Sequence, residues 1–243
     1  MELSVLTVYQ SPFKKFRYGK DFDGGYVTAK IPNLVYDLFI GCGINDDISF
    51  EEDFLKEYDY LKCHLFDGNI QKLPEITGNP YNLIFTNKNI APYNDDKNTN
   101  LHELIDKYNN IILKMDIEGA EINWLNSLSY QHMNKLQQIV IEFHNPFGPC
   151  ENQIFKKINL THYLIHFHAN NCSCGVINVI NYINVSVPVV FECTYVHKRH
   201  FSTPPLLNTE PIPSSIDMRN VQQEPEININ YPPFVHPKPF FFF

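Results

Sequence analysis

No window of about 18 consecutive apolar residues occurs in the chain, so no transmembrane helix is expected. The start, Met1-Glu2-Leu3-Ser4-Val5, has neither the basic residues nor the apolar run of a secretory signal. Basic residues are scarce: 19 Lys and Arg stand against 27 Asp and Glu, for a net charge of −8. A nucleic-acid binder neutralises phosphates with clustered Lys and Arg. The only cluster here is Lys14-Lys15-Phe16-Arg17, so that class is set aside. The six cysteines (Cys42, Cys63, Cys150, Cys172, Cys174 and Cys193) are scattered, at least three of them in or beside expected strands. They read as free thiols of a reducing, cytoplasmic compartment. No internal repeat is present.

What remains is an ordinary globular composition. At 243 residues, 44% hydrophobic and 19% charged, one α/β domain with a tail is the natural expectation. Residues 1–30 form an N-terminal segment ending in Asp23-Gly24-Gly25-Tyr26-Val27, which predicts a tight hairpin turn. Strands are expected over 34–40, 61–66, 81–85, 111–115, 138–143, 163–167 and 188–196. Helices are expected over 47–58, 70–76, 101–108, 120–128 and 152–158. Strands alternating with helices imply a Rossmann-like, mostly parallel, doubly wound sheet across residues 31–200. The seventh strand follows a loop rich in Cys, Ser, Gly and Asn rather than a long helix, so it should run antiparallel to the sixth. Residues 201–243 change character. Pro204, Pro205, Pro211, Pro213, Pro225, Pro232, Pro233, Pro237 and Pro239 exclude helix and central strand. Apolar Leu206, Ile212, Ile216, Phe234 and Phe240 leave two readings open: extended chain packed over the core, or disorder.

Gly41-Cys42-Gly43 after the first strand offers the tight turn and close backbone approach that a nucleotide-like ligand needs. The third glycine of the dinucleotide fingerprint is missing, because the string continues Ile44-Asn45-Asp46-Asp47. Asp67 ends the second strand, near the offset of about 20 residues at which an acid accepts ribose hydroxyls. The acidic turn would repel a pyrophosphate and suit a cationic sulfonium bearing an amino group. S-adenosylmethionine (SAM) is therefore favoured over NAD. An NAD-linked oxidoreductase is further disfavoured by that missing third glycine.

The fourth strand, Ile111 to Met115, stops on the acidic turn Asp116-Ile117-Glu118-Gly119 before a helix. Acids at the carboxyl ends of strands in such sheets point into a site. Other chemistry-bearing residues also cluster at strand ends: Glu142 and His144 after the fifth, and His166, His168, Asn170 and Asn171 after the sixth. Alternation puts His166, His168 and Asn170 on one face, with His166 lower and readable as a satisfied core histidine. Glu118 and Glu121 stand i and i+3 at a helix start, where dipole stabilisation by itself accounts for Glu121.

Together these strings resemble the FkbM-type SAM methyltransferases, in particular a branch with a Gly-Arg/Lys-Asp-x-Asp-Gly-Gly-Tyr motif. The residues carrying the resemblance are Gly19-Lys20-Asp21-Phe22-Asp23-Gly24-Gly25-Tyr26, the run from Phe39 through Gly41-Cys42-Gly43 to Glu51, Phe66-Asp67, Lys114-Met115-Asp116-Ile117-Glu118-Gly119-Ala120-Glu121, Glu142-Phe143-His144 and the run from His166 to Asn171. It covers residues 17–200 or so. The resemblance implies that Gly41, Cys42, Gly43 and Asp67 hold SAM, that Asp47 and Ser49 reach it from the first helix, and that residues 87–90, Asn89 among them, face the adenine. It also implies O-methylation of a sugar, glycan or other polyhydroxylated small molecule.

Such a transfer must orient the acceptor hydroxyl, remove its proton and exclude water. Asp116, His144, Glu118 and His168 are the catalytic candidates. Asp116, Glu142, His144 and His168 could jointly hold a divalent ion that assists deprotonation. A zinc set of His166, His168, Cys172 and Cys174 matches no common module. The non-enzymatic alternative is a degenerate methyltransferase fold serving as a binding subunit, which has no reason to keep Gly41, Gly43, Asp67 and Asp116.

Overall fold

The computed structural model describes residues 2–78, 82–172, 176–181 and 183–238. An N-terminal hairpin pairs β1 (Lys14–Tyr18) with β2 (Tyr26–Lys30). The first sheet strand is β3 (Leu38–Cys42), followed by α1 (Ser49–Glu57), β4 (Cys63–Phe66) and β5 (Leu83–Thr86). Two-residue strands β6 (Asn89–Ile90) and β7 (Asn98–Thr99) pair with each other before α2 (His102–Asp106). Then come β8 (Ile111–Met115), α3 (Glu121–Ser127), α4 (Tyr130–Lys135), β9 (Leu136–His144) and α5 (Pro149–Thr161). The chain continues through β10 (His162–Ala169), β11 (Val176–Asn181), β12 (Ile183–Pro188) and β13 (Val190–His197).

Seven strands form one sheet in the order β10-β13-β9-β8-β3-β4-β5. The pairs β3/β4, β4/β5, β3/β8 and β8/β9 are parallel, and β13 is antiparallel to both β9 and β10. This is the doubly wound α/β sheet with an antiparallel last strand that the element order implied. β3 and β8 are buried at every position because both faces of the sheet are covered, as parallel strands require. Under one face, α1 and the hairpin pack Phe39, Phe50, Phe54, Leu65 and Tyr26 together. Under the other lie Trp124, Phe143, Phe155, Phe167, Phe191 and Phe234.

Several expectations shift. The hairpin exists, but Tyr18 faces Tyr26 across a seven-residue loop, so Asp23-Gly24-Gly25 closes a wide loop rather than a tight turn. Residues 70–76 form no helix, because Pro74 can neither donate an N–H nor clear the preceding turn. Helix α4 arises from a capping box in which the Ser129 hydroxyl accepts from the His132 N–H and His132 Nδ1 accepts from the Ser129 N–H. The loop before the last strand contains the hairpin β11/β12.

The Pro-rich tail is packed as extended chain over its described length. Ile212, Ile229 and Phe234 are buried in the second core. Tyr9 and Leu207 form a β-bridge, and the Asn208 N–H donates to the Val8 carbonyl at 2.9 Å. Phe240 and Pro239 lie outside the described residues.

Candidate functional site

From β3 the chain steps outward to β4 and β5, then returns to the opposite side of β3 as β8. Loops leaving β3 and β8 therefore diverge, and a crevice opens above their carboxyl ends. A cavity of about 440 Å³ occupies it. Its walls come from the glycine turn, the first turn of α1, the end of β4, residues 88–90, the end of β8 and the hairpin loop.

Gly43 carries the turn. Its φ is +75°, and a Cβ there would lie 1.5 Å from the Asp116 carbonyl oxygen, so no side chain fits. Asp67 lines the cavity while its carboxylate shapes the same turn. Oδ2 accepts from the N–H groups of Ile44 (3.0 Å) and Asn45 (2.8 Å), and Oδ1 accepts from Asn69 (2.6 Å). Asp47 and Asn89 also line the cavity, and Asp47 pairs with Lys20 of the hairpin loop at 3.1 Å. Three expected cofactor contacts fall elsewhere. Gly41 lies within β3 against Leu65 and Glu51, and Cys42 is fully buried in the opposite core. Both are strand residues below the crevice. The Ser49 hydroxyl accepts from the Lys20 N–H at 2.9 Å, so it ties the hairpin loop to α1 instead of facing the cavity.

Carboxylates outnumber cations on these walls. Asp23, Asp46, Asp47, Glu51, Asp67, Asp116 and Glu118 face only Lys20, Lys88 and Lys114. Such a surplus favours a cationic ligand over a polyphosphate.

At one end of the cavity the expected chemistry residues converge. His144 Nε2 lies 3.8 Å from Asp116 Oδ1, 3.4 Å from Glu118 Oε2 and 3.8 Å from Glu142 Oε1. Its Nδ1 is 3.1 Å from Glu121 Oε1. Glu121 is fully buried, and the same oxygen accepts from the Ile117 and Gly119 N–H groups, both at 3.1 Å. Glu121 thus does more than stabilise a helix dipole: it fixes the acidic turn and orients the imidazole. Burial pulls the His144 pKa down, but the hydrogen bond and charge of Glu121, with Glu142 and Asp116, outweigh it and raise it to about 9.

Two residues of the quoted motifs acquire roles that the sequence reading did not give them. The Tyr26 hydroxyl lies 2.8 Å from Asp116 Oδ2 and 3.2 Å from Glu142 Oε2. A phenol has one proton to give. Burial, with the charges of Asp116 and Glu192, pushes the Glu142 carboxyl well above its ordinary range. A protonated Glu142 can then donate to Tyr26 while Tyr26 donates to Asp116. Lys114 is buried in β8, donates to the Gly43 carbonyl at 3.2 Å and sits 4.8 Å from the centre of the Tyr26 ring. A lysine inside an otherwise apolar buried strand was the signal available for it.

His168 does not join this group. It shares a sheet row with Glu192 and Glu142, yet Nδ1 faces Glu192 and Nε2 faces Glu226 of the tail, both at 3.4 Å. It is therefore removed from the catalytic and metal candidates. His166 is buried, with Nε2 2.8 Å from Asp217 and Nδ1 3.3 Å from Lys15 Nζ. Of the zinc set, Cys174 lies outside the described residues and both histidines are committed to carboxylates. Among the described residues, the His/Cys/Asp/Glu group compact enough to share one cation is Asp116, Glu118 and His144, with ligand atoms all within 4.8 Å of one another. Also among them, no helix is long and apolar enough to cross a membrane.

No family model and no curated protein matches the chain. Among solved structures, it is similar to a precorrin-6y C5,15-methyltransferase from Geobacter metallireducens, with a TM-score of 0.37 and 12% identity over 68% of this chain and 83% of that one. It is also similar to a Thermoplasma acidophilum protein named as a candidate methyltransferase, with a TM-score of 0.30 and 9% identity over 66% of this chain and 67% of the other. Likenesses this distant carry no functional argument, and the class of the fold follows from the chain's own strand order: a Rossmann-like, mostly parallel seven-stranded sheet closed by an antiparallel last strand.

Proposed function

We propose that the chain is a SAM-dependent methyltransferase acting on a hydroxyl of a small polyhydroxylated molecule or glycan. The observation that carries this reading is the acid-lined cavity at the switch point of the sheet, with Gly43 and Asp67 at one side and the Asp116–His144 cluster at the other. The acceptor class comes from the sequence resemblance. When bound, SAM supplies an electrophilic methyl group next to a positive sulfur. The carboxylates of the cavity wall would favour that charge, and Asp67 would take the ribose with the oxygen lone pairs left over from its backbone bonds. Asn89 stands at the rim, where an adenine would meet it.

The acceptor proton has a receiver within reach. Asp116 Oδ1 is shut off from solvent and has no hydrogen-bond partner, so it is poised to accept from a hydroxyl. His144, held protonated by Glu121 and its other acidic neighbours, would balance negative charge beside Asp116. The same orphaned oxygen fits a metal ligand. Asp116, Glu118 and His144 would hold a divalent cation, which would lower the pKa of a coordinated hydroxyl. Glu121 would then orient the histidine from behind.

The test is isothermal titration of the protein with SAM, repeated on Asp67→Ala. Micromolar binding, lost in the variant, is the expected result. It would be followed by a screen of sugar acceptors with and without Mn2+. Absence of SAM binding in the unsubstituted protein would leave the fold intact and sink the enzymatic reading.

A further inference from the structure

Strand β9 joins two ends of opposite character. His144 closes it beside the acids of the cavity, while Leu136 opens it at the far end of the sheet, about 26 Å away at about 3.3 Å per residue. At the Leu136 end the fold gathers cations from three separate segments, which no single run of the sequence displays. Lys135 of α4 donates to the carbonyls of Ile105 (3.1 Å) and Asp106 (2.7 Å) at the end of α2. Lys157 of α5 donates to those of Leu125 (2.8 Å) and Asn126 (3.0 Å) near the end of α3. Just beyond β13, Lys198 donates to the Asn159 carbonyl at 2.6 Å and Arg199 to the Asn134 carbonyl at 2.7 Å.

Carbonyls left over at helix ends explain why lysines stand here. They do not explain the missing counter-ions. Of the four cations, Lys135 alone has a carboxylate beside it among the described residues, that of Asp106 at 3.6 Å. Burial pushes the neighbouring His197 imidazole down to about 4, and the charges of Arg199, His200 and Lys198 push it the same way. A positive field thus stands at one pole of a chain whose net charge is −8. The acids of the cavity do not cancel it, because salt screens exposed charges beyond about 8 Å at physiological ionic strength.

Two large side chains stand exposed among these cations. Leu160 is 65% exposed, one turn beyond Lys157 on α5 and next to the Asn159 carbonyl that holds Lys198. Tyr130 is 59% exposed, and its carbonyl accepts from the side chain of Asn134, the residue whose own carbonyl holds Arg199. Cations interleaved with a leucine and a tyrosine match a lipid interface, where anionic headgroups meet the charges and the other two side chains sit at headgroup depth. A nucleic acid would use the cations but leave Leu160 without a role.

We propose that the pole formed by α4, the end of α5 and the turn after β13 docks on an anionic membrane surface, with Leu160 and Tyr130 seated among the headgroups. The cavity at the carboxyl ends of β3 and β8 then faces away from the bilayer and stays open to the aqueous phase.

The experiment is co-sedimentation of the full chain with phosphatidylcholine vesicles, with and without phosphatidylserine, at low and at high NaCl. Binding is expected only with phosphatidylserine and should disappear at high salt. Lys198→Gln combined with Arg199→Gln should weaken it about thirtyfold, the effect of two neutralised charges at such a surface. Leu160→Ser should weaken it severalfold. Lys72→Gln, an exposed lysine beyond the carboxyl end of β4, should leave it unchanged. Absence of phosphatidylserine-dependent binding by the unsubstituted chain overturns the proposal. So does undiminished binding by the folded double variant or by Leu160→Ser, or an equal loss in Lys72→Gln. If the double variant does not fold, Arg199→Gln alone reads the same dependence, since that side chain is exposed. Capture by RNA without vesicle binding overturns it in favour of a nucleic-acid partner.

Discussion

Gly43 and Cys42 are neighbours with opposite sensitivities. At Gly43 a methyl group would meet the Asp116 carbonyl, and the φ of +75° adds strain of its own. Gly43→Ala should cost more than about 3 kcal/mol in a urea melt, the range of severe backbone and overpacking changes. Any folded fraction should fail to bind SAM. Cys42 points into the opposite core, so Cys42→Ala should cost about 1 kcal/mol and leave SAM affinity unchanged. Lost binding in that second variant would mean that the turn is coupled to the core behind it. Glu118 offers a separate test. It is a non-glycine residue at φ 55°, with an 86% exposed side chain aimed at His144. Asparagine tolerates this conformation better than glutamate. Glu118→Asn should hold or raise the melting temperature while weakening Mn2+ binding, because the shorter side chain no longer reaches. A fall in melting temperature with unchanged Mn2+ affinity would assign Glu118 to structure alone.

The hairpin β1/β2 is the element that joins cofactor wall to chemistry. Its loop carries Lys20 and Gly24 over the cavity, and its second strand delivers Tyr26 to Asp116 and Glu142. Tyr26→Phe keeps the ring against Phe50 and Lys114 but removes the hydroxyl that bridges half-buried Asp116 and buried Glu142. The loss should lower stability by about 1–2 kcal/mol. It should also lower kcat more than it changes SAM affinity, measured by single-turnover kinetics beside calorimetry. A change confined to stability would make the bridge purely structural. This element also marks what was legible beforehand. The Gly-Gly-Tyr string located the hairpin, and the apolar run Ile111–Leu113, ending at the acidic turn, located β8. Wide-loop geometry was hidden because Arg17 holds the loop open by donating to the carbonyls of Lys20 (2.7 Å) and Phe22 (2.6 Å), a contact that no local pattern encodes. Strand-end position picked out Asp116 and His144, since topology alone brings those ends together. It misassigned His168 because Glu226, which captures that histidine, lies 58 residues further along the chain.

Across the whole molecule, the tail decides the stability of the fold. Ile212, Ile229 and Phe234 are each at most 4% exposed, and burial of three such side chains corresponds to about 5–9 kcal/mol at about 1.5–3 kcal/mol each. That is comparable with the whole stability of a domain, about 5–15 kcal/mol. Truncation after His200 should therefore give a chain without a cooperative melt; an unchanged melting temperature would show that the tail is dispensable. The tail is also clamped electrostatically. Asp217 stands 2.8 Å from His166 Nε2, while Lys15 reaches the other side of that ring and Glu226 meets the neighbouring His168. Burial pushes the Asp217 carboxyl up, but the charges of His166 and His168 override it and hold it well below its ordinary value of 3.8. A carboxyl depressed in the folded state favours folding above its unfolded pKa and loses that contribution as the pH falls below it. Stability should accordingly fall with acidification beginning near pH 3.8. Asp217→Asn should start lower at pH 7 and show a flatter acid limb, read from urea melts at a series of pH values. Parallel acid limbs in the two proteins would mean that the carboxyl–imidazole pair contributes nothing to holding the tail in place.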